Sequence, residues 1–239
     1  MEGFTYHNIF ETKGIEYLLI IGFFAVLIPF WIILSKHVKT ARFLKGSMGF
    51  LSAKSLSVPQ GLFFSKFHTW AHLERSGVAR VGLDDFLLHL TGPVQFKPVK
   101  QPGDNINKGE LLATIMRDGK QLDIFSPISG EIVEGNPVLQ EDSDQLNFDP
   151  CMKGWIFRIK PASWIAETKS YYLAEKATAW STRELERFKG WLATSSMKYD
   201  TFNSGIVLQD GGELVEKPLA GLPVELWQDF QESFLSGRE

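Results

Sequence analysis

Residues 103–130 read GDNINKGELLATIMRDGKQLDIFSPISG, and this stretch decides the fold class. Two apolar runs, residues 111–116 and 120–125, flank the dipeptide Asp118-Gly119. This dipeptide is the strongest signal in the chain for a two-residue hairpin turn, because Asp and Gly tolerate the positive φ angles that such a turn requires. The stretch therefore predicts a β-hairpin with Asp118 and Gly119 at its apex.

Short apolar runs separated by turn residues continue on both sides of this hairpin, from about residue 66 to residue 160. Residues 83–90 are typical of a short helix with Asp84 and Asp85 near its positive end. The remaining runs have the length and spacing of strands: 69–73, 77–81, 94–98, 130–134 and 155–160. The pattern predicts a mainly β unit of the α+β kind.

The composition excludes some function classes. The 239 residues carry a formal net charge of -3, whereas a nucleic-acid-binding protein normally has an excess of basic residues. The single cysteine, Cys151, cannot form an internal disulfide, so no oxidising compartment is implied. We therefore expect no nucleic-acid partner.

An uncharged, strongly apolar segment lies near the beginning of the chain, at residues 17–34. As a helix it would be roughly 27 Å long, which is close to the hydrocarbon thickness of a bilayer. The alternative of a cleaved signal peptide is disfavoured, because the preceding residues are mildly acidic and a basic flank follows. The segment predicts one transmembrane helix over residues 15–35.

Four basic residues follow this segment and set its orientation: Lys36, Lys39, Arg42 and Lys45. By the positive-inside rule, the C-terminal side stays in the cytoplasm. We therefore expect a single-pass protein of the cytoplasmic (inner) membrane, with an external stub at residues 1–14. Residues 36–65 are interpreted as the basic flank and a Gly- and Ser-rich linker.

Several motifs in the right order resemble the H protein of the glycine cleavage system, over residues 66–175. They are FHTWAHLE (67–74), ARVGLDDFLLHLTGPVQF (79–96), PGDNINKGELLATI (102–115), DIFSPISGEIVEGNPVL (123–139) and NFDPCMKGWIFRIKP (147–161). The resemblance implies a flattened β-sandwich of the lipoyl/biotinyl type, also called a barrel-sandwich hybrid, with peripheral helices.

In this family, lipoate is attached to a lysine at the apex of a hairpin. Alignment without gaps, from Gly109-Glu110 on one side to Pro127-Ile128-Ser129-Gly130 on the other, puts Gly119 at that position. Glycine has no side chain to modify. Lys120 is one residue later, and a one-residue offset along a strand turns the side chain to the other face. We therefore expect no cofactor, with lipoate on Lys120 as the alternative.

Other candidate sites are weak. His68 and His72 are four residues apart in a predicted strand region, and no third ligand lies nearby in sequence, so no metal site is expected. The acidic pair Asp84-Asp85 and the acidic run 141–144 are interpreted as solvated surface. Phosphate-binding loops, nucleophile elbows and catalytic triads are not found in the sequence, so we expect no catalytic residues and no enzyme activity.

Residues 176–239 form a C-terminal extension. Ser181 to Glu184 resembles a capping box that opens an amphipathic helix, residues 205–215 resemble a small hairpin, and Pro223 begins a final helix. One face of that helix is apolar and mostly aromatic: Leu226, Trp227, Phe230 and Phe234. This face either packs back onto the sandwich or docks to a partner protein.

The function hypothesis follows from these observations. The chain is expected to be a non-catalytic, membrane-anchored, H-protein-like accessory or scaffold subunit that binds other subunits of a membrane-associated complex. A bacterial redox or respiratory complex is the setting that analogy suggests. The alternative is a membrane-tethered lipoyl carrier modified at Lys120.

Overall fold

The computed structural model describes residues 17–31, 50–141, 143–198 and 214–236. The chain divides into two compact units, Met1–Met48 and Gly49–Glu239. In the first unit, helix α1 (residues 17–31) has all of its residues exposed.

None of the helices in the described part of the chain combines the length and the apolar character that a membrane crossing requires. The predicted transmembrane helix 15–35 is described only over residues 17–31. The predicted stub 1–14 and the basic flank at residues 36–45 lie outside the described residues.

The second unit begins earlier than the sequence predicts. Residues 50–65, predicted to be linker, contain strand β1 (Phe50–Leu51) and strand β2 (Phe63–Phe64). Leu51, Leu62 and Phe64 are buried in the unit. The Gly- and Ser-rich composition concealed these strands, because only a few apolar residues in the segment are needed to fix it to the core.

A six-stranded antiparallel sheet forms one layer of the unit. Its order is β2, β3 (Thr69–Leu73), β4 (Ala79–Leu83), β10 (Trp155–Pro161), β9 (Gly130–Gly135) and β6 (Asn105–Ile106). The bounds predicted for β3 are confirmed. Strand β4 begins two residues later than predicted, because the turn before it extends through Val78.

A three-stranded sheet forms the second layer, in the order β5 (Gln95–Pro98), β7 (Leu111–Arg117) and β8 (Lys120–Phe125). Ile115 and Leu122 of this sheet lie in the same buried core as Ile132 and Ile159 of the other sheet. The predicted mainly β, sandwich-like fold with peripheral helices is therefore confirmed.

Short helices close the edges of the sandwich. Helix α2 (Asp85–Thr91) begins after Asp84, whose side chain accepts a hydrogen bond from the Leu87 amide at 2.9 Å. The others are α3 (Pro137–Glu141), α4 (Asp144–Phe148) and α5 (Trp164–Thr168). Asp84 is 3% exposed, so the interpretation of this residue as solvated surface is wrong.

The C-terminal extension packs on the sandwich as part of the same unit. It consists of α6 (Glu175–Lys198), β11 (Leu214–Val215), α7 (Val224–Phe230) and a π-helical segment (Gln231–Leu235). Helix α6 begins six residues before Ser181, so the predicted capping box lies inside a helix. Strand β11 pairs with β1. Residues 205–213 of the predicted hairpin lie outside the described residues.

The aromatic face of the final helix is buried in the chain itself. Leu226, Trp227 and Phe230 are 0% exposed, and Phe234 is 4% exposed. The alternative in which these four residues form a partner-docking face is therefore corrected: they belong to the core, because α6 and the second sheet cover them.

Candidate functional site

The hairpin β7–β8 contains Gly119 and Lys120, the two positions considered for lipoate attachment. Arg117 pairs with Lys120, which leaves Asp118 and Gly119 as a two-residue turn. Their φ angles are 49° and 77°, so both adopt the left-handed backbone that the Asp-Gly dipeptide predicts. The predicted turn is confirmed, and its apex carries the short side chain of Asp118 and no side chain at Gly119.

The amine of Lys120 points back onto the C-terminal extension. Its Nζ donates hydrogen bonds to the carbonyl oxygens of Ala220 at 2.7 Å and Leu222 at 3.0 Å. It also lies 5.3 Å from the centre of the Trp227 ring, within the range of a cation–π interaction. The Trp227 indole is itself held by a hydrogen bond to the Leu219 carbonyl at 2.8 Å. The amine is thus bound inside the unit.

A second contact joins the extension to the same hairpin. Strand β8 is an edge strand. The side-chain amide of Gln231 forms hydrogen bonds to its backbone, as a neighbouring strand would. The Asp123 amide donates to Gln231 Oε1 at 2.8 Å, and Gln231 Nε2 donates to the Asp123 carbonyl at 3.2 Å. Such contacts satisfy backbone groups that an edge strand otherwise leaves open.

The extension also continues the end of helix α2, next to the hairpin. The amides of Lys217 and Leu219 donate to the carbonyls of His89 at 3.1 Å and Leu90 at 3.0 Å. These carbonyls belong to the last turn of the helix, where partners within the helix are lacking. We call residues 217–231, which contact both α2 and β8, the C-terminal clamp.

A buried histidine joins helix α6 to the sandwich. His68 is 0% exposed, and its Nδ1 lies 2.7 Å from Asp84 Oδ2. Its Nε2 faces Glu184 Oε2 on α6 at 3.8 Å, which is an ion-pair distance rather than a hydrogen bond. Its ring stacks between those of Phe86 and Trp180, at centroid distances of 4.7 and 5.3 Å.

The two carboxylates control the protonation of this histidine. Burial disfavours the charged imidazolium, but Asp84 and Glu184 outweigh it and raise the pKa of His68 to about 9. Burial alone would raise the pKa of Glu184, yet His68 and Arg187 together lower it. His68 is therefore a cation at neutral pH, bound on both sides by carboxylates.

The structure does not bring His68 and His72 together as metal ligands. His72 Nδ1 contacts the Gly61 carbonyl at 3.2 Å. Over the residues that the structure describes, no group of three or more His, Cys, Asp and Glu side chains has the geometry to hold a metal ion.

The contacts of Asp84 and Glu184 with His68 were not predicted from the sequence, because Asp84 was interpreted as solvated surface and Glu184 as part of a capping box.

The comparisons with known proteins fit this architecture. A family model described as "Glycine cleavage H-protein" matches residues 62–184, about half of the chain. The chain belongs to the glycine cleavage H-protein family. The match ends inside α6, so the C-terminal clamp lies beyond the part of the chain that the family shares.

The curated relatives match a similar length of this chain. The glycine cleavage system H protein of Bacteroides fragilis is 34% identical over 108 residues, which are 45% of this chain and 85% of the relative. That of Thermus thermophilus is 35% identical over 106 residues, 44% of this chain and 82% of the relative. A crystal structure of an H protein from Mycobacterium marinum matches with 24% identity and a TM-score of 0.41, covering 44% of this chain and 87% of that one.

Proposed function

We propose that this protein is a non-catalytic, membrane-anchored, H-protein-like accessory or scaffold subunit of a membrane-associated protein complex. In this proposal the H-type domain supplies protein-binding surfaces and carries no lipoate. A bacterial redox or respiratory complex is the setting that analogy favours. The domain is expected to lie on the cytoplasmic side of the inner membrane and to bind no nucleic acid.

The observation that carries the proposal is the state of Gly119 in the turn and of Lys120, the first residue after it. Gly119, which aligns with the family's lipoyl lysine, has no amine. The Lys120 amine is bound by two carbonyl oxygens and lies near the Trp227 ring. These residues do not fit the attachment of lipoate, because a carrier needs an amine that projects from the domain and moves freely.

The energy needed to release Lys120 supports this interpretation. Each hydrogen bond from a charged donor contributes about 1.5–3 kcal/mol when desolvated, and less for a half-buried group such as this one. Freeing the amine would also leave the carbonyls of Ala220 and Leu222 without this donor. The clamp therefore opposes both modification of Lys120 and swinging of any attached arm.

The competing function is a membrane-tethered lipoyl carrier modified at Lys120. The observation in its favour is that Lys120 is the lysine nearest to the apex, directly after the turn. In that case the clamp would have to open before the amine could react. The two functions make opposite predictions for the mass of the protein.

Intact-mass measurement of full-length protein from a lipoylating host distinguishes them. We expect an unmodified mass, with a co-expressed authentic H protein as the positive control. The variant Gly119→Lys is the matched comparison: an added Cβ meets no atom within 4 Å, and the cost of the substitution is backbone strain at a φ of 77°. A lipoyl adduct on the wild-type chain that disappears in Lys120→Ala would replace the proposal with the carrier function.

The membrane and scaffold parts of the proposal need separate experiments. The uncharged run 17–34 and the basic flank after it support an anchor. We expect the full chain to stay with membranes after alkaline extraction, and a variant lacking residues 15–35 to be released. Purification in mild detergent should retain other subunits. A protein that emerges alone and monomeric would contradict the scaffold role.

A further inference from the structure

An apolar groove opens on the globular unit between α5 and the beginning of α6. It is lined by Phe63, Trp164, Ile165, Leu173 and other residues around them, and it encloses about 570 Å³. Ile165 is 84% exposed, the highest value among the large hydrophobic side chains that the structure describes. We call this surface the α5 groove. A single exposed apolar residue is ordinary on a protein surface, but here Ile165 lines one groove together with Phe63, Trp164 and Leu173.

The groove is held rigidly, so the exposure of Ile165 does not result from a loose loop. Glu167 on α5 accepts hydrogen bonds from both the amide of Ser129 at 2.8 Å and its hydroxyl at 2.5 Å. Lys108 Nζ donates to the Glu167 carbonyl at 2.9 Å and lies over the Tyr171 ring at 4.5 Å. Ser129 thus fixes α5 to the β8–β9 connection, and Lys108 fixes it to the β6–β7 connection.

The surroundings of the groove are basic, although the whole chain has a net charge of -3. Lys169 and Lys176 line it, with Glu175 as the one acidic residue of the lining. Lys108 also lies beside α5, since its Nζ donates to the Glu167 carbonyl. Burial and the charge of Lys66 lower the pKa of Lys108, and the charge of Glu167 opposes this shift. The Glu167 carboxylate is already bound by Ser129.

We propose that the α5 groove binds the surface of an anionic lipid bilayer, with Ile165 and Leu173 inserted at the level of the headgroups. The inference rests on the membrane anchorage in the proposed function. Exposed aliphatic residues, interfacial tryptophan and tyrosine, and flanking lysines are the side chains that membrane surfaces select. Each lysine gains from the negative potential of the cytoplasmic leaflet.

A protein partner is the alternative occupant, and the size of the patch disfavours it. A stable protein interface buries about 800 Å² on each partner, whereas only Ile165 and Leu173 among the large apolar side chains of this groove count as exposed. A weak surface is sufficient for a bilayer, because an anchor in the same chain keeps the domain at a high effective concentration near the lipid.

The test uses the full chain in proteoliposomes. An environment-sensitive fluorophore is placed on Ile165→Cys in a Cys151→Ala background. Phe148→Cys in the same background is the matched control, because Phe148 is 47% exposed, lies on α4 and is not among the residues that line the α5 groove. With anionic vesicles we expect a blue shift and protection from an aqueous quencher at position 165 and not at position 148.

The charge dependence gives a second measure. Replacing Lys169 and Lys176 by glutamine should lower the ratio of membrane-bound to free groove by roughly fivefold for each lysine. A label at position 165 that stays equally accessible in anionic and zwitterionic vesicles, while the protein floats with both, would overturn this inference alone. Failure of the protein to float with vesicles would overturn the anchor as well.

Discussion

The buried His68 makes the stability of the domain depend on pH in an unusual direction. Its pKa rises from 6.5 to about 9 on folding. Each unit of pKa shift corresponds to about 1.4 kcal/mol of folding free energy. The folded state therefore gains up to about 3 kcal/mol from protonated His68. Because the folded pKa is the higher one, this contribution is fully present below about pH 6.5 and is lost as the pH rises through about 9.

The perturbation that isolates this contribution is His68→Asn. Asparagine tolerates the left-handed backbone of this position, where φ is 56°, but it cannot be protonated. The variant also loses the ring stacking with Phe86 and Trp180, so it should be less stable at every pH. The informative quantity is the difference in unfolding free energy between wild type and variant. We expect it to shrink by about 2–3 kcal/mol between about pH 6 and about pH 10.

The assay is chemical denaturation of the full chain in mild detergent, followed by tryptophan fluorescence at a series of pH values. His72→Asn is the matched control, because His72 lies four residues after His68, on β3, and its ring contacts the Gly61 carbonyl rather than a carboxylate. This variant keeps His68 and both of its carboxylates, so the loss of stability that His68 causes at high pH should remain. Glu184→Gln should move the loss of stability to lower pH, because it removes one of the two carboxylates. The reasoning would be refuted if the difference in unfolding free energy between the wild type and His68→Asn stayed constant from about pH 6 to about pH 10.

Three further substitutions test the clamp and the packing. Gln231→Ala should destabilise the protein by about 1–2 kcal/mol and speed hydrogen exchange at the Asp123 amide, since it removes both bonds to the edge strand. Gly82→Ala should cost about 1–3 kcal/mol in thermal or chemical unfolding, because the added methyl would lie 2.5 Å from the buried Trp70 ring. Gly190→Ala, at an exposed and open position of α6, should instead stabilise by about 0.5–1 kcal/mol, and a loss of stability there would contradict the assigned helix.

The clamp gives the C-terminal extension a defined structural role. Its backbone completes the end of α2, its Gln231 side chain covers the edge of β8, and its carbonyls bind the Lys120 amine. The family match ends at residue 184, so the clamp lies outside the matched residues.

The sequence by itself determined the local structure of the sandwich. The Asp118-Gly119 turn follows from the backbone preferences of two adjacent residues, and strands β3 and β8 follow from short apolar runs between turn residues. The family resemblance followed from motifs in a fixed order, and the family model confirms it. These features depend on neighbouring residues, so they can be predicted before anything is known of the tertiary contacts.

Only the tertiary structure decided which surfaces meet. The Lys120 amine is bound by carbonyls about one hundred residues later, and His68 faces a carboxylate on a helix that lies beyond β10. Periodicity showed that the last helix has an apolar face but could not tell that Trp227 is covered by the chain itself. The physical reason is that burial depends on packing between segments that are distant in sequence. The composition of a segment does not specify which other segment it packs against.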